Sequence, residues 1–190
     1  IDENAKIDDG TIIYPNCYLW GDENSSIGNN CEIGPSAFLR GNFKIGNRVK
    51  IGFNAEIVRS KIDDEARVPH FSHVGDAQIG KGSNIAAGVI FCNYDGKYKR
   101  QTILEDDVFV GSGVMLIPSK NATPLKIGCG AFIAAGAIVS KNVKEYSFVK
   151  GVNIVSSKAC MVDEIGWELV PKSEHPILRA RPEEPDLGFP

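Results

Sequence analysis

The sequence predicts an all-β fold, a parallel β-helix of short stacked strands, and three observations lead there. An aliphatic residue returns every six positions through nearly all of residues 1–144. A small residue follows it four places on. Gly, Asn and Asp fill the positions between them, where a chain that turns sharply needs residues tolerant of positive φ. A period of six is not a multiple of 3.6, and apolar residues do not return at three and four, so helical packing is excluded for this part. A β-sandwich would show alternation over longer strands.

The repeat runs IDDGTI (7–12), IGNNCE and IGPSAF (27–38), IGNRVK and IGFNAE (45–56), IDDEAR and VPHFSH (62–73), and IGKGSN and IAAGVI (79–90). It continues as LEDDVF and VGSGVM (104–115), IGCGAF and IAAGAI (127–138) and VSKNVK (139–144). In a coil of flat sides and tight corners the first aliphatic points inward. The residue four places later points inward beside a corner, where space is short. Those places hold Ala5, Thr11, Cys17, Cys31, Ala37, Val49, Ala55, Ala66, Ser72, Ser83, Val89, Ala131 and Ala137, with Phe43 as the exception. Coils of this kind stack so that backbone groups pair with the neighbouring coil and only the two ends expose edges. Cys17 and Cys31 therefore read as core residues.

After residue 144 the repeat stops. SKACMVDEIGWELV (157–170) has apolar positions at helical spacing and predicts a short C-terminal helix over the open end. From Pro171 onward, five prolines in twenty residues predict an extended arm. The expected division is a β-helix domain at 1–156 followed by a helix and proline-rich arm at 157–190.

Composition narrows the function classes. A formal net charge of −3 over 190 residues, with acids and bases interspersed, gives no footprint for a nucleic acid. No apolar run reaches the ~18 residues of a membrane span. No basic-then-apolar leader is present, and the start at Ile1 leaves room for sequence upstream. Five cysteines without a C-x-x-C pair fit free thiols in the cytoplasm.

Function concentrates where a regular scaffold is interrupted. The long breaks are FCNYDGKYKRQT (91–102) and IPSKNATPLK (117–126), with shorter slips at 23–26, 57–61 and 74–78. The first long break carries Asn93, Tyr94, Asp95, Gly96, Lys97 and Lys99, and it follows closely on His70 and His73.

The run AEIVRSKIDDEARVPHFSHVGDAQIGKGSNIAAGVIFCNYDGKYKRQTILEDDVFVGS (55–112) resembles the acetyltransferase domain of bacterial bifunctional N-acetylglucosamine-1-phosphate uridylyltransferases. HFSHVGDAQIG, NIAAGVIFCNYDG and the lysine of KYK carry the likeness. It implies a left-handed coil, against the usual right-handed crossover, and a homotrimer with active sites between subunits. It also implies acetyl-CoA as the donor.

Residue by residue, the resemblance puts the catalytic histidine at His70 and its accompanying acid at Glu56. Acceptor contacts fall on Arg40, His73, Asn84, Asn93, Tyr94 and Lys99. Acetyl-CoA contacts fall on Ala87, Ser112 and Ala135. An imidazole suits the proton transfer that accompanies attack on a thioester, and Glu56 is expected on the far nitrogen of His70. The 92–95 loop is expected to stabilise the oxyanion. No covalent intermediate is needed, so Cys92 reads as structural.

Two departures bear on the acceptor. Val58 stands where the family has a phosphate-binding lysine, and His73 where it has a tyrosine. They point to a related amino sugar, a nucleotide-linked sugar or another small acceptor. An O-acyltransferase stays open, since the histidine base serves an amine or a hydroxyl. So does a silent trimeric scaffold, although the retained site residues argue against it. A trimeric zinc lyase needs three imidazoles, whereas the histidines are His70, His73 and, in the tail, His175; no metal site is expected.

Overall fold

The computed structural model describes residues 5–118 and 124–151, and the backbone of 154–156. The helix and arm expected beyond residue 156 lie outside the described residues. The architecture is the expected left-handed parallel β-helix, with three flat sides of seven, nine and seven strands. Up to the last coil, each strand pairs in parallel with the third strand after it, so every coil contributes one short strand to each side.

The first side runs Lys6–Ile7, Ser26–Ile27, Lys44–Ile45, Lys61–Ile62, Ala77–Ile79, Thr102–Leu104 and Leu125–Ile127. The second runs Ile12–Ile13, Glu32–Ile33, Lys50–Phe53, Arg67–His70, Asn84–Ile85, Phe109–Val110, Phe132–Ile133 and Phe148–Lys150. The third runs Tyr18–Trp20, Phe38–Arg40, Glu56–Val58, His73–Gly75, Ile90–Phe91, Met115–Leu116 and Ile138–Val139. At the end the pattern reverses: Ile154–Ser156 pairs antiparallel with Phe148–Lys150.

The six-residue period is explained by this register. Each side buries one large apolar residue per coil, so Ile27, Ile45, Ile62, Ile79, Leu104 and Ile127 stack into one inward column. Ile33, Ile51, Val68, Ile85, Val110 and Ile133 form the second column. Leu19, Leu39, Ile57, Val74, Phe91, Leu116 and Val139 form the third. Each fully buried side chain of this size contributes about 1.5–3 kcal/mol by leaving water.

Small inward residues are needed at the corners, and Cys31, Ala37, Ala55, Ala66, Ser72, Ser83, Ala131 and Ala137 are buried there. The serines among them also bond. Ser72 Oγ donates to Ala86 O and accepts from Val89 N–H, and Ser83 Oγ donates to Glu105 O and accepts from Val108 N–H. Each hydroxyl thus satisfies a corner carbonyl and amide that no strand pairing reaches. Phe43 is fully buried because Ser25 and Ser60, its neighbours in the adjoining coils, are small.

One corner repeats a left-handed residue in every coil: Gly10, Asn30, Arg48, Glu65, Gly82, Asp107 and Gly130. The next corner does the same with Asn16, Ser36, Asn54, Phe71, Gly88, Gly113 and Gly136. Phe71 is the bulky member of that series, at φ +26°, and it stands between His70 and Ser72. A bulky residue at positive φ is strained, and no other coil places an aromatic at this turn.

Among the described residues, no helix is long and apolar enough to cross a membrane.

Candidate functional site

The second corner carries the donor-side candidates. Backbone bonds run from Gly88 N–H to His70 O, from Gly113 N–H to Ala87 O and from Gly136 N–H to Ser112 O. His70, Ala87, Ser112 and Ala135 therefore occupy one corner position in four successive coils. At roughly 4.8 Å per coil, this edge is about 15 Å long. His70 at its foot is exposed, as are Ser112 and Ala135. Small side chains followed by glycines leave the edge bare, and a Cβ on Gly113 or Gly136 would meet nothing within 4 Å.

Two of the acceptor-side candidates, Arg40 and His73, lie on the third side. Outward positions there stack Phe38, Glu56, His73 and Ile90 in one column and Arg40, Val58 and Gly75 in the next. Glu56 Oε1 accepts from Arg40 Nε at 2.8 Å, and Glu56 Oε2 lies 2.8 Å from His73 Nδ1. Burial pushes the Glu56 carboxyl up, but the bonds from Arg40 and His73 outweigh it and hold the group below the usual carboxylate range. The partner of Glu56 is thus His73, directly above it in register, and not His70 as expected from the sequence. His70 lies above Phe53 on the second side, around the Phe71 corner, and no hydrogen bond to its ring is found among the described residues.

With Nδ1 engaged, His73 presents Nε2 beside Gly75. A methyl group on Gly75 would stand 2.8 Å from that nitrogen and 2.5 Å from Nδ2 of Asn93. The missing side chain makes a notch in which an imidazole and an amide converge. Asn93 is buried, and its Nδ2 donates to Asp76 Oδ2. Arg59 grips Asp76 with two bonds of 2.7 and 2.8 Å. Val58 is in register with Arg40 at an outward position, yet its side chain is covered.

Tyr94 and Lys99 sit on a small hairpin beyond Asn93. They pair as an antiparallel bridge, and the Lys99 ammonium lies 5.4 Å from the Tyr94 ring centre. Asp95 closes the turn by accepting the amides of Lys97 and Tyr98 and the Arg100 Nε. These amides and the guanidinium lower its carboxyl to about 2. Burial pushes the Cys92 thiol up, which disfavours the thiolate a nucleophile needs. Asn84 lies on the second side, between Arg67 and Phe109 in register. No hydrogen bond among the described residues joins it to the Glu56 cluster.

Sequence reasoning missed Asp76 and Arg59. The coil length is the signal that finds them: counting 17 residues from Arg59 reaches Asp76, and 17 more reaches Asn93. The same count carries Glu56 to His73.

Comparison with known proteins finds the same repeat and the same fold. Residues 24–59 match the family "Bacterial transferase hexapeptide (six repeats)". Bifunctional protein GlmU of Carboxydothermus hydrogenoformans is 40% identical over 176 residues, covering 76% of this chain and 38% of that protein. GlmU of Thermodesulfovibrio yellowstonii is 39% identical over 167 residues, covering 88% of this chain and 32% of that protein. The chain thus spans about a third of the length of these relatives. A variant of AntD, an N-acyltransferase from Bacillus cereus crystallised with dTDP-4-amino-4,6-dideoxyglucose and coenzyme A, shares the fold at TM-score 0.50 and 18% identity, over 80% of this chain and 82% of that one. The chain is a hexapeptide-repeat β-helix that carries the bacterial transferase hexapeptide motif and, over most of its length, is similar to bifunctional protein GlmU.

Proposed function

We propose that the chain is an acetyl-CoA-dependent acetyltransferase acting on an amino sugar or a sugar-phosphate-like acceptor. One observation carries this reading. The exposed His70 stands at the foot of a bare edge of small residues, at the corner that opens the third side, which carries the Arg40–Glu56–His73 cluster and has Asn93 at its far end. An extended donor along Ala87, Ser112 and Ala135 would bring its thioester to His70. A polar acceptor over the Gly75 notch would bring its nucleophile there from the other side. The GlmU relatives, about 40% identical, support the same assignment.

In this reading His70 takes the proton from the acceptor amine as its nitrogen attacks the thioester carbonyl. The side-chain amide of Asn93 is the donor offered to the oxyanion that forms, since the backbone N–H groups of Cys92, Asn93 and Asp95 are already bonded within the coil and the hairpin. Collapse breaks the C–S bond, and the thiolate of CoA leaves and takes a proton. Arg40, His73, Asn84, Tyr94 and Lys99 hold the acceptor, and Glu56 fixes the first two of these.

We place the site between subunits of a homotrimer. The exposed apolar residues Tyr18, Trp20 and Met115 on the third side suit burial against a partner. Four free cysteines among the described residues fit the reducing cytoplasm.

The test is release of CoA from acetyl-CoA against a panel of amino sugars, sugar phosphates and nucleotide-linked sugars. Release that depends on one acceptor class supports the reading. Release that is absent or the same with every acceptor overturns it.

A further inference from the structure

Asp76 links both ends of the 93–100 hairpin to the coil. Its carboxylate accepts the side-chain amide of Asn93 at the entrance, and its backbone carbonyl accepts the Thr102 N–H at the exit, 3.4 Å away. Below it, Arg59 bonds both carboxylate oxygens. Arg59 and Asp76 are stacked at the third corner, and both adopt positive φ, +47° and +49°. Two consecutive coils thus hold non-glycine residues in an uncommon backbone conformation, in a geometry that aims one side chain at the other.

The hairpin itself is closed internally. Asp95 pins its turn, Tyr94 and Lys99 bridge its arms, and the Arg100 N–H bonds Asn93 O at 2.7 Å. A rigid hairpin moves as a unit, so its attachment decides where its tip lies. Asn93 is the attachment, and its amide shares the Gly75 notch with Nε2 of His73.

We propose that Arg59 and Asp76 are positioning residues, a clamp that acts through Asn93 to set the hairpin bearing Tyr94 and Lys99 against the acceptor subsite. The proposal rests on the acetyltransferase reading for its kinetic consequence and on geometry alone for its mechanical one. The depressed carboxyl of Asp76 agrees with it: burial pushes that group up, and the bonds from Arg59 and Asn93 more than offset this.

The test compares wild type with Asp76→Asn, which keeps the shape but leaves one acceptor oxygen where Arg59 and Asn93 use two, so that one of them must face an NH2 group. Trypsin cleavage under native conditions, mapped at Lys97, Lys99 and Arg100, reads the attachment directly. The clamp predicts cleavage there faster by about tenfold or more, since a local opening has become easier, with the global unfolding midpoint little changed. It also predicts an acceptor KM raised about tenfold by misplacement, with the acetyl-CoA KM within about twofold. Exchanging the partners in Asp76→Asn with Asn93→Asp restores a donor–acceptor pair and should recover part of the resistance to cleavage. Arg59→Gln carries the same test if Asp76→Asn does not fold.

Cleavage at the wild-type rate overturns the clamp, as does an equal rise in both KM values. A wild type that transfers no acetyl group overturns the functional reading instead, and the proteolysis still decides the clamp.

Discussion

Glu56 holds the imidazole of His73 rather than that of His70, with Oε2 at 2.8 Å from Nδ1 and Oε1 on Arg40. The acid beside the expected base is therefore spent on acceptor-side residues, and it ties three successive coils together on one face.

The Glu56 carboxyl lies low because two bonds overcome its burial. Arg40→Met removes one of them, so the Glu56 midpoint should rise in a carboxyl-carbon NMR titration. The sign for stability follows. A depressed folded value stabilises the fold above the unfolded carboxyl pKa of about 4.3 and loses that contribution as pH falls through the folded value. Acid unfolding of Arg40→Met should accordingly begin at higher pH than in wild type. An unmoved midpoint would show that Arg40 does not act on this carboxylate.

Gly75→Ala puts a methyl group within 2.5 Å of the Asn93 amide and 2.8 Å of His73 Nε2. One of them must move, at a stability cost of about 1–3 kcal/mol by overpacking. Steady-state kinetics should show the acceptor KM rising well above that of wild type and the acetyl-CoA KM holding. A variant indistinguishable from wild type would mean that the notch is not part of the site.

Phe43 fills a core position that other coils give to smaller residues, and it is fully buried. Phe43→Ala should destabilise the chain by about 3–5 kcal/mol in urea unfolding. A loss below about 1 kcal/mol would mean that the coils beside Ser25 and Ser60 collapse into the space.

The hairpin turn depends on Asp95 as a carboxylate, with its midpoint at about 2. The depressed value means the turn is fully supported above the ordinary Asp range, near 3.9, and loses that support as pH falls toward 2. Hydrogen exchange at the Lys97 and Tyr98 amides, corrected for the intrinsic pH effect, should stay slow at pH 4 and lose protection between pH 4 and 2. Protection that vanishes at pH 5 would contradict this.

The columns of the β-helix were legible because each coil repeats the same demand: an aliphatic on the flat side and a small residue at the corner. Ile33, Ile51, Val68 and Ile85 satisfy it one after another. Phe43 broke the pattern on paper, yet it fits for a reason that lies in the neighbouring coils. His70, Ala87, Ser112 and Ala135 were singled out by resemblance, and their shared corner emerges once the coils are stacked. The partner of Glu56 was less legible. Which outward residue stands over which depends on the number of residues in each coil, and the shortened sides at 57–61 and 74–78 set that number to 17 here. The resemblance assigned Glu56 to His70, whereas the 17-residue coil sets it beneath His73. The link from Arg59 through Asp76 to Asn93 was hidden for the same reason.

Proton removal by His70 is the step on which the whole functional account turns. The most direct measurement is the rate of acetyl transfer by His70→Ala, on the best acceptor of the panel, with sedimentation run in parallel. Turnover lower by about 10²–10⁴-fold in a protein of unchanged size is the result expected of a lost general base. Turnover equal to that of wild type would contradict the assignment.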